Sequence, residues 1–280
     1  MTGSGRDEAR ARFLESLQAG QVLTATVASL DVPEVIVDLP GPGGTHQRIG
    51  RVLESELSWQ PAADPDQIVR VGQELLVEVI ALTPGRDAVI VSARACEDPE
   101  LRDFLLHLRP GDVVTGTVSD TQPFGVFVHL DGEPSRPVTG LPGTGFINVP
   151  ELSWSHFAET SEIVTVGQRV TAKVLGSNTR RGQVSLSLRA LQQDPLPSWA
   201  DRVGQVVPGH VTKLTPIGVF VRLADGVEGL LELSVPAHNQ LGDLSALGLD
   251  VGDPVDVMIT EVEARQRRVI LSSLDRPGTD

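Results

Sequence analysis

Apolar and polar residues alternate in short runs along most of the chain. Val114-Thr115-Gly116-Thr117-Val118 is one such run, and Val89-Ile90-Val91-Ser92, Val184-Ser185-Leu186-Ser187 and Val269-Ile270-Leu271-Ser272 are others. Period-two alternation over a few residues, bounded by Gly and Pro, predicts half-buried strands. Helical spacing occurs only briefly. Leu101, Phe104, Leu105 and Leu108 fall at i, i+3, i+4 and i+7, with Asp98 placed as N-cap and Pro99 in the first turn. Phe13, Leu14 and Leu17 suggest a similar segment nearer the start.

The strand-rich stretches repeat. Gly20-Gln21-Val22, Gly111-Asp112-Val113 and Gly204-Gln205-Val206 each open an alternating run; Val71-Gly72-Gln73, Val166-Gly167-Gln168 and Val251-Gly252-Asp253 each open another. The first set of glycines is spaced by 91 and 93 residues and the second by 95 and 85, so length differences sit in the connecting loops. Each unit reads as five short strands with its longest loop between the third and fourth. Five twisted antiparallel strands remove their exposed edges by closing into a barrel. The expected organisation is a helical segment over 1–19, repeat one over 20–94, a linker helix over 95–108, repeat two over 109–190, a Pro-rich linker over 191–202, repeat three over 203–274 and a tail over 275–280. The linker Asp194-Pro195-Leu196-Pro197-Ser198-Trp199 reads as a stiff spacer that keeps barrels apart.

Composition narrows the function classes. The chain has 280 residues, 40% apolar and 21% charged, with 28 Gly and 20 Pro, which fits a turn-rich globular protein. A formal charge of −14 excludes coating of duplex DNA by electrostatics alone, but leaves room for a local basic site. No run of about 18 apolar residues marks a membrane span, and the first twenty residues lack a signal-like apolar stretch. The single cysteine, Cys96, excludes a disulfide framework and a Cys-Cys zinc site and suits a reducing, cytoplasmic compartment. Twenty-one Arg against two Lys, with no Tyr, points to a GC-rich bacterial genome.

The run Gly111-Asp112-Val113-Val114-Thr115-Gly116-Thr117-Val118, followed by Pro123-Phe124-Gly125-Val126-Phe127-Val128, Gly145-Phe146-Ile147, Val166-Gly167-Gln168 and Val184-Ser185-Leu186-Ser187-Leu188, resembles the S1 RNA-binding domain. The third unit resembles it through Pro216-Ile217-Gly218-Val219-Phe220-Val221 and Gly229-Leu230-Leu231-Glu232-Leu233-Ser234, and the first mainly at its two ends. The resemblance implies an all-β chain of three tandem five-stranded OB-fold barrels. It also implies an RNA-facing surface of two aromatics, a third-strand histidine, and an acidic and a basic residue at the last hairpin. In repeat two these positions hold Phe124, Phe127, Asn148, Asn178 and Gln183, with Arg180 and Arg181 in the hairpin itself. Phe124 and Phe127 are three apart, so a regular strand sends them to opposite faces; a bulge at Gly125 is the expected device for bringing both rings to one side. The alternative is that one or both rings belong to the core.

The other repeats depart from this pattern. Repeat three has Ile217 and Phe220, Glu232 in place of the histidine, and Glu263, Arg265, Arg267 and Arg268 at its hairpin. Glu232 repels phosphate unless it is paired. Repeat one has Asp31-Val32-Pro33-Glu34-Val35-Ile36-Val37, with no aromatic and a proline where the glycine belongs, and Leu53 and Ala88 at the histidine and basic positions. It is expected not to bind RNA, and the resemblance implies a protein-docking role for it. Residues 109–190 carry seven acidic and seven basic side chains, whereas 21–96 sum to −5 and 203–274 to −4, so repeat two repels RNA least.

No catalytic or cofactor chemistry is expected. His46, His107, His129, His156, His210 and His238 lack metal-ligand spacing. Gly140-Leu141-Pro142-Gly143-Thr144-Gly145 leads into a strand, not the helix a phosphate loop requires. Asp250, Asp253 and Asp256 read as a solvated turn and strand start, and Cys96 as an idle thiol. The expected protein is a non-enzymatic, monomeric binder of single-stranded RNA, with Phe124, Phe127, Asn148, Asn178, Arg180, Arg181, Phe220, Arg265, Arg267 and Arg268 as contact residues, no metal, no cofactor and no membrane partner. By resemblance its setting is translation, bringing messenger RNA to the small ribosomal subunit. The competing expectation is an adaptor that uses its acidic barrels to bind the ribosome, RNA polymerase or a nuclease.

Overall fold

The computed structural model describes residues 12–31, 33–41, 45–60, 64–83, 88–135, 139–232 and 249–273. Its strands close into three five-stranded barrels. The first holds β1 (Val22–Asp31), β2 (Glu34–Pro40), β3 (His46–Leu53), β4 (Glu74–Thr83) and β5 (Ala88–Ser92). The second holds β6 (Val113–Gln122), β7 (Gly125–Leu130), β8 (Gly145–Asn148), β9 (Arg169–Asn178) and β10 (Gln183–Ser187). The third holds β11 (Val206–Thr215), β12 (Gly218–Ala224), β13 (Val227–Glu232), β14 (Pro254–Glu263) and β15 (Arg268–Ser273). Each runs first-second-third-fifth-fourth and back to the first, and the third and fifth strands pair in parallel.

Alternation builds the cores. In the first barrel Ala25 and Val27, Val35 and Val37, Val77 and Val79, and Val89 and Val91 are all fully buried, while the intervening Thr26, Ile36 and Ile90 are less buried. The first strand of each barrel skips one residue against the second, at Ala28, Ser119 and Thr212. Such bulges increase local twist, which a five-stranded barrel needs to close. The repeated Gly-Gln and Gly-Asp landmarks are the turns that enter the first and fourth strands. Gly111 and Gly167 adopt φ of +100° and +87°, a region that favours glycine. The next side chain completes each turn: Asp112 accepts from the Arg109 amide at 2.8 Å and Gln168 from the Thr165 amide at 3.0 Å.

A helical segment precedes each barrel. Phe13 and Leu17 join the first core. The helix Pro99–His107 is capped by Asp98, whose carboxylate accepts from the Leu101 amide at 2.9 Å, and it buries Leu101 and Leu105. The segment expected to be a stiff spacer instead forms a 3-10 helix, Leu196–Arg202, which buries Leu196 and Trp199 in the third core. Residues i and i+3 of a 3-10 helix share a face, so these two side chains land together.

The chain divides into two compact units, one running through Asn148 with Thr165–Ser187 added, the other comprising Val149–Val164 and the residues from Leu188 onward. The first and second barrels were expected to stand apart. Within the first unit they instead touch through the β9–β10 hairpin, where Arg180 reaches Glu56 and Thr179 reaches Glu78.

Candidate nucleic-acid interface

The outer face of β7 and β8 carries the aromatic residues. Val126 and Val128 are fully buried inside the barrel, so Phe127 between them points outward; Phe146, between buried Gly145 and Ile147, does the same. The register sets Phe127 directly opposite Phe146, with ring centroids 5.0 Å apart. Phe124 is not on the strand. It sits in the turn joining β6 to β7, where strand alternation does not apply, and its ring lies 6.0 Å from Phe146 and edge-on to Phe127 at 6.4 Å. Phe127 is 8% exposed because these neighbouring rings cover it, whereas Phe124 is 60% exposed.

The expected bulge at Gly125 does not occur. Pairing runs unbroken from Gly125 to both Gln122 and Asn148, and the extra residue is Ser119 on β6. Gly125 is required for a different reason. Its φ is +157°, and a Cβ there meets the Ile147 carbonyl oxygen at 2.5 Å and Phe146 Cζ at 2.6 Å. Glycine lets β7 and its turn approach β8 closely enough for the Phe124 and Phe146 rings to meet.

Polar groups border the rings. Asn148 is exposed and lies opposite Gly125, next to Phe124 in sequence. Asn178 pairs with Gln183 where the β9–β10 hairpin begins, and its Oδ1 accepts from the Arg181 amide at 2.9 Å. The Arg181 side chain is exposed and forms no ion pair among the described residues. Arg180, expected beside it at the RNA face, is turned onto Glu56: Nη2 donates to Oε1 at 2.5 Å and Nε to Oε2 at 3.1 Å.

The third barrel presents less. Ile217 is 65% exposed at the turn position, Phe220 is half-buried, and Leu230 stands opposite it where the second barrel has Phe146. Glu232 is paired, accepting from Arg268 Nη2 at 3.1 Å. Arg267 donates to Asp194 at 2.7 Å and lies 4.0 Å over the Trp154 ring. Arg265 is exposed with no ion pair among the described residues. In the first barrel Leu53 pairs with Glu34, which binds Arg51 at 2.6 Å, and Ala88 is buried, so this face offers no ring. The Asp31–Pro33 stretch includes Val32, which lies outside the described residues, as does the tip of the β4–β5 hairpin.

Phe146 is the site residue that reading the sequence missed. Its signal was present: two residues from Asn148 on a four-residue strand, it shares that residue's face. Among the described residues no cluster of three or more His, Cys, Asp or Glu side chains can hold a metal, and no helix is long and apolar enough to cross a membrane.

Comparison with known proteins agrees with this architecture. The family model described as S1 RNA binding domain matches residues 16–94, 107–189 and 200–273. Small ribosomal subunit protein bS1 of Mycobacterium tuberculosis is 39% identical over 208 residues, covering 72% of this chain and 41% of that protein. The bS1 of Leuconostoc lactis is 30% identical over 263 residues, covering 92% of this chain and 57% of its own length. The chain thus spans about half the length of these relatives. Among solved structures, GSP13 from Bacillus subtilis is 28% identical with a TM-score of 0.26, covering 35% of this chain and 74% of that one. With matches over three segments that take up most of its length, the chain belongs to the S1 RNA-binding domain family.

Proposed function

We propose that the protein binds single-stranded RNA through the three-ring face of its second barrel, as a non-enzymatic monomer acting on messenger RNA at the small ribosomal subunit in the cytoplasm. The observation that carries this reading is the exposed Phe124 ring, held against Phe146 and Phe127 and bordered by Asn148, Asn178 and Arg181. An exposed ring accepts any base by stacking, and the amides can hydrogen-bond base edges or ribose hydroxyls. Phe220 and Arg265 of the third barrel supply a weaker second contact. Arg267 and Arg268 are already paired with Asp194 and Glu232, so their part is limited to the rim. Tethering raises the effective concentration of each site for the other. The relatives named as small ribosomal subunit proteins support the translational setting.

Fluorescence anisotropy of a labelled unstructured RNA against the intact chain and its Phe124→Ala variant tests the reading. One stacked base contributes about 1–3 kcal/mol, so the variant is expected to bind about 5- to 150-fold more weakly. Each phosphate contact by the exposed arginines Arg181 and Arg265 contributes about −0.7 to the slope of log affinity against log salt, so that slope should be shallow. Equal affinity of the two proteins refutes the stacking assignment.

A further inference from the structure

We propose that the Glu-Leu-Ser-Trp loop after the third strand, together with the arginine after the fifth strand, forms a socket whose partner is the fourth-to-fifth-strand hairpin tip of the next repeat. The first repeat, which has lost its aromatic face, thereby holds the second.

In the first repeat the socket is Glu56-Leu57-Ser58-Trp59 with Arg94. Glu56 is 4% exposed. A carboxylate so deeply buried needs compensating donors. Arg94 donates to Oε1 at 3.4 Å and stacks its guanidinium 4.6 Å over Trp59, but the closer donor is Arg180 of the second repeat, which engages both oxygens. Beside it Thr179 donates to both oxygens of Glu78, at 3.0 and 3.1 Å, on a carboxylate that also binds Arg102. Gly182 closes against the socket, where a Cβ would stand 3.2 Å from the Trp59 ring and collide with Thr139. Thr179, Arg180 and Gly182 are therefore directed at the first repeat, whereas the exposed Arg181 side chain has no ion pair among the described residues.

The same parts recur within the second compact unit. The loop carries Glu151-Leu152-Ser153-Trp154, and Arg189 binds Glu151 at 2.7 Å while lying 4.4 Å over Trp154. Arg267, 4.0 Å from the same ring, is the fourth residue of its hairpin tip, as Gly182 is of the second repeat's. Both adopt left-handed φ, +52° and +59°. One tip shape thus meets a tryptophan in both cases, once with glycine against the ring and once with a guanidinium on it, which is the favoured cation–π geometry. In the third repeat Glu232 holds the place of Asn148, so in sequence Val235-Pro236-Ala237-His238 align with Glu151-Leu152-Ser153-Trp154, and Leu274 aligns with Arg94 and Arg189; the carboxylate, the indole ring and the guanidinium are all replaced.

The test uses the full chain and reads the first repeat while altering the second. Amide hydrogen exchange is measured in β4, β5 and the Glu54–Glu56 turn for Arg180→Gln, Glu56→Gln and the double variant. Arg180→Gln is expected to speed first-repeat exchange about tenfold, equivalent to about 1.4 kcal/mol, and to add little on the Glu56→Gln background. RNA affinity of Arg180→Gln should stay within fivefold of the parent protein. An exchange change below threefold, an undiminished effect on the Glu56→Gln background, or a salt-dependent loss of RNA affinity of fivefold or more each overturns the proposal. If the parent protein binds no RNA, the proposed RNA function fails while the exchange cycle still decides the socket.

Discussion

Phe124 and Phe127 lie on one face, yet their truncations should have opposite signatures. Phe127 is 8% exposed, opposite Phe146, with Phe124 against its edge. Removing a buried Phe side chain costs about 3–5 kcal/mol through lost transfer energy and a cavity. Phe124 is 60% exposed, so its truncation forfeits less than half of that burial and its ring contacts, together about 1–2 kcal/mol. For RNA the order reverses. The exposed ring offers the stacking face, and losing it removes about 1–3 kcal/mol per base. Phe127 can affect RNA only by letting Phe124 and Phe146 shift.

Amide exchange in β7 and β8 reads the stability of this barrel separately from the other two, because local opening energies differ across a chain of several domains. At about 1.4 kcal/mol per power of ten, Phe127→Ala should accelerate exchange by about two to three and a half powers of ten and Phe124→Ala by about one and a half at most. Anisotropy on the same samples should show Phe124→Ala as the weaker RNA binder under conditions where both remain folded. The reasoning is refuted if Phe124→Ala destabilises β7 as strongly as Phe127→Ala while leaving RNA affinity unchanged, since Phe124 would then be a structural ring like its neighbour.

Two further predictions concern titratable groups at the contact between the first and second barrels. Burial raises the Glu56 pKa, but the hydrogen bonds from Arg180 and Ser92 and the charges of Arg180 and Arg94 outweigh it and hold the group below its ordinary 4.5. A depressed carboxylate contributes stability that is complete above the unfolded pKa and lost as pH falls through the folded value. First-barrel exchange protection should therefore hold from pH 7 to about 5 and decline below about 4.5; Glu56→Gln should flatten that decline, and an unaltered profile counts against the assignment. Cys96 is pushed up to about 11 by burial, with the Glu78 charge adding to the rise and Arg102 opposing it. At pH 8 its thiolate fraction is roughly a hundredfold below that of a thiol at 9.0, so iodoacetamide should label the native chain at least that much more slowly than the urea-unfolded chain. Comparable rates would show that the thiol is accessible and ordinary.

The repeated landmarks were legible because each encodes a local device. A glycine supplies the left-handed turn, and the residue after it carries the side-chain acceptor that closes the turn, as at Gly111-Asp112 and Gly167-Gln168. The Asp98 cap and the Leu101–Leu105 stripe were legible for the same reason. What escaped was non-local. Placing the extra residue at Ser119 and not at Gly125 depends on how β6 and β7 twist together to close the barrel. The divergence of Arg180 from Arg181 is set by Glu56, 124 residues away, and adjacent residues in a short tip carry no mark of such a partner. The Leu196–Arg202 segment lies between these cases. Two prolines suggested a spacer, but Leu196 and Trp199 at i and i+3 were already the buried stripe of a 3-10 helix.

The acidity of the first repeat follows from the same non-local arrangement. A repeat that sums to −5 and offers no ring is poorly suited to RNA. Read as a scaffold, its carboxylates have partners in the linker and the second repeat as well as its own: Glu56 receives Arg94 and Arg180 and Glu78 receives Arg102 and Thr179, while Glu97 of the linker receives the Ser58 hydroxyl and the Trp59 amide. Glu56 and Glu78 fix the tip of the second repeat's hairpin, and that hairpin also carries Asn178 and Arg181 beside the aromatic face. A preorganised face loses less conformational freedom when RNA arrives than a mobile one. The repeat least suited to touching RNA therefore raises affinity for it only modestly, within the fivefold expected for Arg180→Gln, by holding in place the hairpin of the repeat that does.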